Sequence, residues 1–196
     1  MNESWLIPLA IILAYLLGSI PTGLWLGRYF RGVDIRTQGS KNIGATNTLR
    51  VLGKPLGIAA LIGDMAKGLL AVLLLARLGD WVHLPLACGI AAILGHTFSV
   101  FLRFRGGKGV ATSAGVFLGL ATLPTALAAL IFGVVFGLTH MVSAGSIAAA
   151  LTLGVTVFFF PLSWSVRIAA VIVVVLVILK HRSNIRRILR KEEHRF

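Results

Sequence analysis

The chain has 196 residues, of which 57% are hydrophobic and only 13% are charged, and its mean hydropathy is +0.92. These values exclude an ordinary soluble domain, so we predict one integral membrane domain over residues 1–196. The net charge is +13, and all of the excess falls in three segments, 28–54, 103–108 and 180–196. Because basic residues beside membrane spans collect on the cytoplasmic side, we expect all three segments to face the cytoplasm and to form one cationic site.

Nucleic-acid binding is disfavoured, because no aromatic residues interleave with the basic ones. Membrane lipids with anionic headgroups and an anionic substrate are the expected partners. The single cysteine, Cys88, lies within a predicted span and excludes disulfides inside the chain. The histidines and acids are scattered, so we predict no metal and no cofactor. The oligomeric state stays open, with a monomer among the options.

The first apolar segment covers residues 5–27, carries no charge and is long enough to cross a bilayer. We expect an uncleaved span, since it is long and only residues 1–4 precede it. The seven-span count given below places its N-terminus outside. Its end, Gly-Ser-Ile-Pro-Thr-Gly, allows close helix contact, and Pro21 is expected to bend the span. Segments 56–76 and 82–102 predict the second and third spans.

The uncharged run after Gly109 is too long for one crossing and is divided near Pro124, 141–145 and Pro161. The segments on both sides of this run are basic and are therefore expected to be cytoplasmic, so the chain must cross the membrane an even number of times between them. We therefore predict an all-α polytopic membrane helix bundle of seven spans with a cytoplasmic C-terminus, or of five spans if some pieces are re-entrant. The four short pieces expected are 110–121, 125–139, 146–160 and 166–179.

Polar residues spaced by glycines gather at 39–50. Their hydroxyls, amides and exposed backbone N–H groups suit phosphate or carbonyl oxygens, although an ordinary polar loop explains the residue types equally well. The apolar positions from Ile43 to Leu52 predict a short amphipathic helix at the interface. The candidate binding residues here are Ser40, Asn42, Thr46, Asn47 and Arg50.

Three glycines surround Lys108 just before a short apolar helix. Glycines let backbone N–H groups approach an anion, and the helix N-terminus and the lysine add positive charge. The segment is no Walker A motif, because Leu102 and Gly109 occupy positions that need Gly and Ser or Thr. A flexible inner turn with one lysine is the alternative. The candidate residues are Gly106, Gly107, Lys108, Gly109 and Thr112.

Two further pairs attract attention. His181 and Asn184 are three residues apart in the basic tail and should share a helix face, although a lipid-bound tail explains the neighbouring arginines. Asp64 and Lys67 lie inside the second span, where their spacing allows an ion pair. We interpret Asp64 as structural and Lys67 as the better candidate to reach a substrate anion, whereas His96 is interpreted as a packed, hydrogen-bonded histidine.

As a set, these motifs resemble the bacterial acyl-phosphate:glycerol-3-phosphate acyltransferases over nearly the whole chain. The resemblance implies a compact seven-span bundle in the bacterial cytoplasmic membrane, with its active site facing the cytoplasm. It implies transfer of a fatty acyl group from acyl phosphate to the 1-hydroxyl of glycerol 3-phosphate, the first step of phospholipid synthesis, giving lysophosphatidic acid and phosphate. The matching segments are 18–23, 39–50, 64–68, 95–96, 106–112 and 181–185.

The same resemblance implies roles for individual residues. Ser99 stands where the family often has proline, which should affect only the shape of the third span, and Lys191 stands where it often has glycine. Glu193 matches a family glutamate that we interpret as structural. Together with the residue chemistry above, the resemblance predicts Ser40, Arg50, Lys108, His181 and Asn184 as catalytic residues and Asn42, Thr46, Asn47, Lys67, Gly106, Gly107, Gly109 and Thr112 as substrate-binding residues.

The expected chemistry is acyl transfer without a protein base. No His-x4-Asp pair is present, because Phe101, Gly145 and Arg186 occupy the position of the acid after each candidate histidine. We therefore expect a substrate phosphate oxygen to take the hydroxyl proton. An organic-anion transporter is the alternative, disfavoured by the small size, the absence of a repeat and the gathering of polar residues on one face.

Overall fold

The computed structural model describes residues 5–196, so the predicted outer N-terminus at residues 1–4 lies outside the described residues. All regular structure in the described part is helical, which confirms the predicted all-α class. Short 3-10 segments follow α4 and α5, at Leu75–Leu78 and Val100–Leu102. The helices are α1 (Leu6–Ser19), α2 (Thr22–Arg31), α3 (Ala45–Leu52), α4 (Lys54–Leu73), α5 (Leu84–Thr97), α6 (Val110–Leu120), α7 (Thr122–Thr139), α8 (Val142–Thr156), α9 (Trp164–Lys180) and α10 (Arg182–Leu189).

Each of the seven predicted spans overlaps an apolar helix or a bent pair of helices. In the described part of the chain, three segments are long and apolar enough to cross a membrane: Lys54–Leu78, Leu84–Leu102 and Thr122–Thr139. The count rises to five if the bent pairs α1 with α2 and α9 with α10 each form one span. Since α6 and α8 are shorter apolar helices, the total of seven stays a prediction.

The first span is broken at Pro21, as predicted. Helix α1 ends at Ser19 and α2 begins at Thr22, with an angle of 46° between them. Proline has no N–H group to continue the helical ladder, so the backbone turns at this point. Beyond the break, α2 carries arginines and exposed aromatic side chains, a composition that favours the membrane interface.

The chain divides into two compact units, Met1–Leu120 and Ala121–Phe196; the single domain predicted for residues 1–196 stays a prediction. In the first unit, α1 packs closely against α5, and α4 packs against α3, α5 and α6. Small residues permit this approach: a Cβ atom added at Gly18 would overlap the backbone of Ala92, and one at Gly95 would overlap the carbonyl oxygen of Tyr15.

In the second unit, α7 and α8 form the main helix pair, and α8 also packs against α9. Two predicted boundaries were wrong. Helix α7 begins before Pro124, because proline is tolerated in a first turn where no intrahelical N–H donor is needed. Helix α8 runs from Val142 to Thr156 rather than over 146–160, because the break is confined to His140, whose φ is +56°, and Met141.

Candidate functional site

The segment between α2 and α3 is folded by hydrogen bonds of its own side chains. The Asp34 carboxylate accepts bonds from the guanidinium groups of Arg36 and Arg28, at 2.6 and 2.9 Å, and from the Arg36 N–H group. These contacts, chiefly the side-chain bond from Arg36, hold the pKa of Asp34 well below its usual range. Asp34 therefore stays ionised and fixes the beginning of the polar segment.

Asn47 fastens this segment to α3. Its side-chain N–H₂ donates to the carbonyl oxygens of Ile35 and Gln38, at 2.8 and 3.2 Å, and its Oδ1 accepts the Ser40 N–H group at 2.8 Å. Only 1% of Asn47 is exposed. Asn47 thus shapes the loop that presents the exposed Ser40, and a contact of Asn47 with a substrate stays a prediction.

The start of α3 is organised in a similar way. The Asn42 Oδ1 accepts the Gly44 N–H group at 2.9 Å, an Asx-type turn directly before the helix. The amphipathic helix predicted near residues 43–52 is confirmed as α3. It carries Thr46 and Arg50, both half-buried. The structure therefore brings the predicted residues of segment 39–50 onto one compact loop and helix.

The glycine turn differs from its predicted geometry. The N–H groups of Gly106 and Gly107 donate to the carbonyl oxygens of Thr97 and His96, at 3.2 and 3.0 Å. These two amides fold the turn back onto the end of α5, so they are not presented to an anion as we expected. Gly109 has a φ of +80°, which glycine adopts without strain. Lys108, half-buried, lies two residues before the start of α6, where the helix dipole also favours an anion.

Thr112 was also predicted to bind substrate and lies in the first turn of α6. It is fully buried, and its hydroxyl has no hydrogen-bond partner among the described residues. Thr97 and Ser113, on either side of the glycine turn, are also buried, and their hydroxyls likewise have no hydrogen-bond partner among the described residues. The turn is thus bordered by buried polar groups. The sequence did not point to Thr97 and Ser113, because both lie inside segments that were predicted as apolar spans.

The predicted ion pair inside α4 is confirmed. Lys67 Nζ lies 2.8 Å from the Asp64 carboxylate, and both residues are almost fully buried. Asp64 also accepts the Thr22 hydroxyl at 2.9 Å, and Lys67 donates to the Ile20 carbonyl oxygen at 2.8 Å. The pair therefore provides a partner for the Ile20 carbonyl oxygen, which the break at Pro21 removes from the helical ladder, and for the Thr22 hydroxyl. Thr22 was missed, although a hydroxyl next to a proline break is a detectable signal.

Lys67 was predicted to reach a substrate anion. Its bonds in the structure go to Asp64 and Ile20, and 4% of the residue is exposed. The structure thus supports a structural role for both members of the pair, and substrate binding by Lys67 stays a prediction.

Ser99 has a larger role than the sequence suggested. Its buried hydroxyl donates to the Ser19 carbonyl oxygen at 2.5 Å and so ties the end of α5 to the end of α1. The expectation that this position affects only the shape of the third span was therefore incomplete, because a proline could not make this bond.

In the second unit, His181 and Asn184 lie at the junction of α9 and α10 and are both buried. His181 Nδ1 lies 2.8 Å from the Val177 carbonyl oxygen. A carbonyl oxygen only accepts, so this contact places a proton on Nδ1 and fixes the ring. The Asn184 side chain donates to Glu193 Oε1 at 2.6 Å. Both predicted side chains are therefore held in defined orientations.

Glu193 organises this region. Besides the bond from Asn184, its carboxylate accepts the Ser143 hydroxyl at 2.8 Å and Arg187 Nε at 2.7 Å, and its side chain is 5% exposed. Burial by itself raises the pKa of Glu193. The hydrogen bonds from Asn184, Arg187 and Ser143 lower it by a larger amount, so the pKa lies below its ordinary value. The contacts support the structural role that we expected for Glu193.

Glu193→Gln is expected to destabilise the protein at pH 7 by about 1–2 kcal/mol, because the amide cannot accept all three bonds. The folded-state pKa is lowered, so the stabilisation is present above the ordinary pKa and is lost as the pH falls through the folded value. Thermal unfolding in detergent should therefore separate wild type from variant at pH 7 and bring them together in acid. Glu192→Gln, at the exposed neighbouring acid, is the control; an equal effect there would contradict the role of Glu193.

Comparison with known proteins tests the identity of the chain. A family model described as glycerol-3-phosphate acyltransferase matches residues 8–191. A glycerol-3-phosphate acyltransferase of Trichlorobacter lovleyi is 49% identical, over 93% of this chain and 94% of the relative. One from Fusobacterium nucleatum is 45% identical, over 95% of this chain and 96% of the relative.

Solved structures agree. Crystal structures of PlsY (YgiH), an integral membrane glycerol 3-phosphate acyltransferase, superpose in the glycerol 3-phosphate form with a TM-score of 0.90 at 36% identity and in the lysophosphatidic acid form with 0.88 at 35%. Each alignment covers 97% of this chain and 95% of the other. These matches favour an acyltransferase over the transporter alternative, and they show that this membrane protein belongs to the glycerol-3-phosphate acyltransferase family.

Proposed function

We propose that this chain transfers a fatty acyl group from acyl phosphate to the 1-hydroxyl of glycerol 3-phosphate, giving lysophosphatidic acid and phosphate. The proposal places it in the bacterial cytoplasmic membrane, with the active site facing the cytoplasm. The observation that carries it is the family membership, combined with the clustering of all excess positive charge in three short segments that also hold the candidate residues. Two anionic substrates require such cationic segments.

In the proposed reaction, the glycerol hydroxyl oxygen attacks the acyl carbonyl carbon and forms the new ester bond. The bond between that carbon and the phosphate oxygen breaks, and the phosphate leaves with the electron pair. A phosphate oxygen of a bound substrate takes the hydroxyl proton. Because acyl phosphate is already activated, the protein mainly has to position two anions and stabilise developing negative charge.

The residues divide these tasks. Lys108 and Arg50 supply positive charge to the phosphates and to the carbonyl oxygen as charge develops on it. Ser40, presented by the loop that Asn47 fastens, orients one phosphate group. His181 and Asn184 have the same orienting role, which the fixed geometry of their side chains supports.

The donor is tested with purified protein and labelled glycerol 3-phosphate. Acyl phosphate should support formation of lysophosphatidic acid, whereas acyl-CoA and acyl carrier protein thioesters should not. Turnover with a thioester but not with acyl phosphate would refute the proposed donor and leave the family membership intact.

His181→Gln is expected to retain measurable turnover, because glutamine keeps a hydrogen-bonding amide near the position of Nε2 even though it cannot take up a proton. If a phosphate oxygen is the base, the pH dependence of turnover should keep a step near the second phosphate ionisation at about 6. A folded variant that binds substrate but is inactive, or one that loses the pH step, would identify His181 as the general base instead.

Single cysteines at Lys41, Arg105 and Arg190 test the orientation, in a Cys88→Ala background that removes the buried native thiol. All three positions are exposed and each lies in a different basic segment. In sealed membrane vesicles of known orientation, a membrane-impermeant maleimide should label all three from the cytoplasmic side only. Labelling of any one position from the outside would contradict a single cytoplasmic site.

A further inference from the structure

His96 lies between the buried ion pair of α4 and the glycine turn, and the proposed chemistry does not use it. The residue is 4% exposed at the end of α5. Its Nδ1 faces the Asp64 carboxylate at 3.7 Å and has no hydrogen-bond partner among the described residues. On the other side, a Cβ atom added at Gly107 would overlap His96 Nε2 and would lie 3.1 Å from two ring carbons. The imidazole ring thus fills the space between an anchored acid and the turn.

The backbone of the same residue also holds the turn. The His96 carbonyl oxygen accepts the Gly107 N–H group at 3.0 Å, and the adjacent Thr97 carbonyl oxygen accepts the Gly106 N–H group at 3.2 Å. Gly107 is therefore fixed from two directions, by a hydrogen bond and by contact with the ring. The next residue along the chain is Lys108, so the position of its Cα atom depends on how His96 is held.

Asp64 is itself immobilised on the far side of the ring. It accepts bonds from Thr22 and Lys67, at 2.9 and 2.8 Å, so its carboxylate has little freedom to move. The carboxylate faces Nδ1 at 3.7 Å and so limits the space on this side of the ring, while the Nε2 edge of the ring faces the turn. The break in the first span, the ion pair and the turn are thereby joined through one imidazole.

We propose that His96 is a positioning residue for Lys108: its ring, which lies between the Asp64 carboxylate and Gly107, seats the glycine turn together with the His96 carbonyl group. The inference rests on the proposed role of Lys108 as a phosphate ligand. A misplacement of about 1 Å in a charged ligand can cost up to roughly 100-fold in rate, so seating of this kind is a functional requirement. A histidine that only packs α5 would affect folding without selecting one substrate.

The test compares His96→Gln, His96→Asn and His96→Ala in the acyl phosphate assay, with KM measured separately for each substrate. Glutamine places its amide nitrogen near the position of Nε2, whereas asparagine places it near Nδ1. His96→Gln should keep kcat/KM within about 3-fold of wild type, whereas the Asn and Ala variants should raise one KM about 10-fold. That substrate should be the one whose KM also rises in Lys108→Arg. His83→Gln, at the exposed opposite end of α5, is the matched control.

A double variant tests the contact itself. Gly107→Ala alone should raise the same KM, because its methyl group overlaps the ring, and removal of the ring should relieve the overlap. Gly107→Ala/His96→Ala should therefore be no worse than His96→Ala alone, whereas independent effects would multiply. If His96→Ala is recovered unfolded, Gly107→Ala decides: a raised KM for that substrate supports the proposal, and unchanged kinetics overturn it.

The outcomes separate the two proposals. An active wild-type enzyme with a folded His96→Ala variant of unchanged kinetics overturns the positioning role alone. The positioning role is also overturned if both KM values change equally, or if the double variant shows multiplied effects. A wild-type protein that does not accept acyl phosphate refutes the proposed donor, and the substrate selectivity of the His96 variants then remains measurable with whichever donor is active.

Discussion

Lys108→Ala is expected to lower kcat/KM for acyl transfer by about 100- to 1,000-fold, the range observed when a single charge-stabilising donor is removed from an active site. The thermal unfolding temperature should change little, because the substitution leaves in place the hydrogen bonds of the Gly106 and Gly107 amides that hold the turn. The measurement is steady-state kinetics with both substrates varied, combined with thermal unfolding of the same preparation in detergent.

The large effect follows from the place of the lysine. It is half-buried and lies two residues before the start of α6, so its interaction with a phosphate is less screened than on an open surface. The partial positive charge at the N-terminus of α6 attracts a phosphate in the same way as the charge of Lys108. Lys108→Arg should recover part of the activity, since it keeps the charge but brings a larger, planar group to a closely packed turn.

Lys54→Ala is the matched control, because Lys54 is an exposed lysine at the start of α4 in another of the basic segments. We expect it to stay within about 2-fold of wild type, as an exposed charge contributes little. A folded Lys108→Ala variant within about 3-fold of wild type would refute the proposed role, as would an equal loss in Lys54→Ala.

The sequence was sufficient where one segment determines its own structure. The main helices of the first unit followed from the length of apolar runs, and the break at Pro21 followed from the missing N–H group. The Asp64–Lys67 pair followed from helical spacing, since residues three apart share a face. In each case the deciding interaction lies within a few residues along the chain.

The site was less predictable because its contacts join distant residues. The Ser99 hydroxyl donates to the Ser19 carbonyl oxygen, 80 residues away in the chain, and neither local sequence predicts this hydrogen bond. The glycine turn looked open for anion binding, yet two of its amides bind the end of α5. Asn47 looked like a ligand, because its residue type does not show that loop carbonyls already occupy its amide.

The second large effect concerns stability. Asp64→Asn and Lys67→Met are each expected to destabilise the protein by about 3–5 kcal/mol, because each leaves an uncompensated charge or polar group in a buried site. The thermal unfolding temperature should fall by roughly 10 °C, on the usual relation between free energy and melting temperature for a chain of this size. Asp80→Asn, at an exposed acid in the turn before α5, is the charge-matched control and should show almost no change.

The double variant Asp64→Asn/Lys67→Met distinguishes an ion pair from two independent buried groups. With both charges absent, the main penalty of each single change disappears, so the double variant should be destabilised by clearly less than the sum of the singles, with a coupling of about 1–3 kcal/mol. Some loss should remain, since the Ile20 carbonyl oxygen still lacks the donor that Lys67 provides at the break in the first span. Strictly additive losses would show that the two side chains act separately and that their 2.8 Å contact does not hold this part of the membrane domain together.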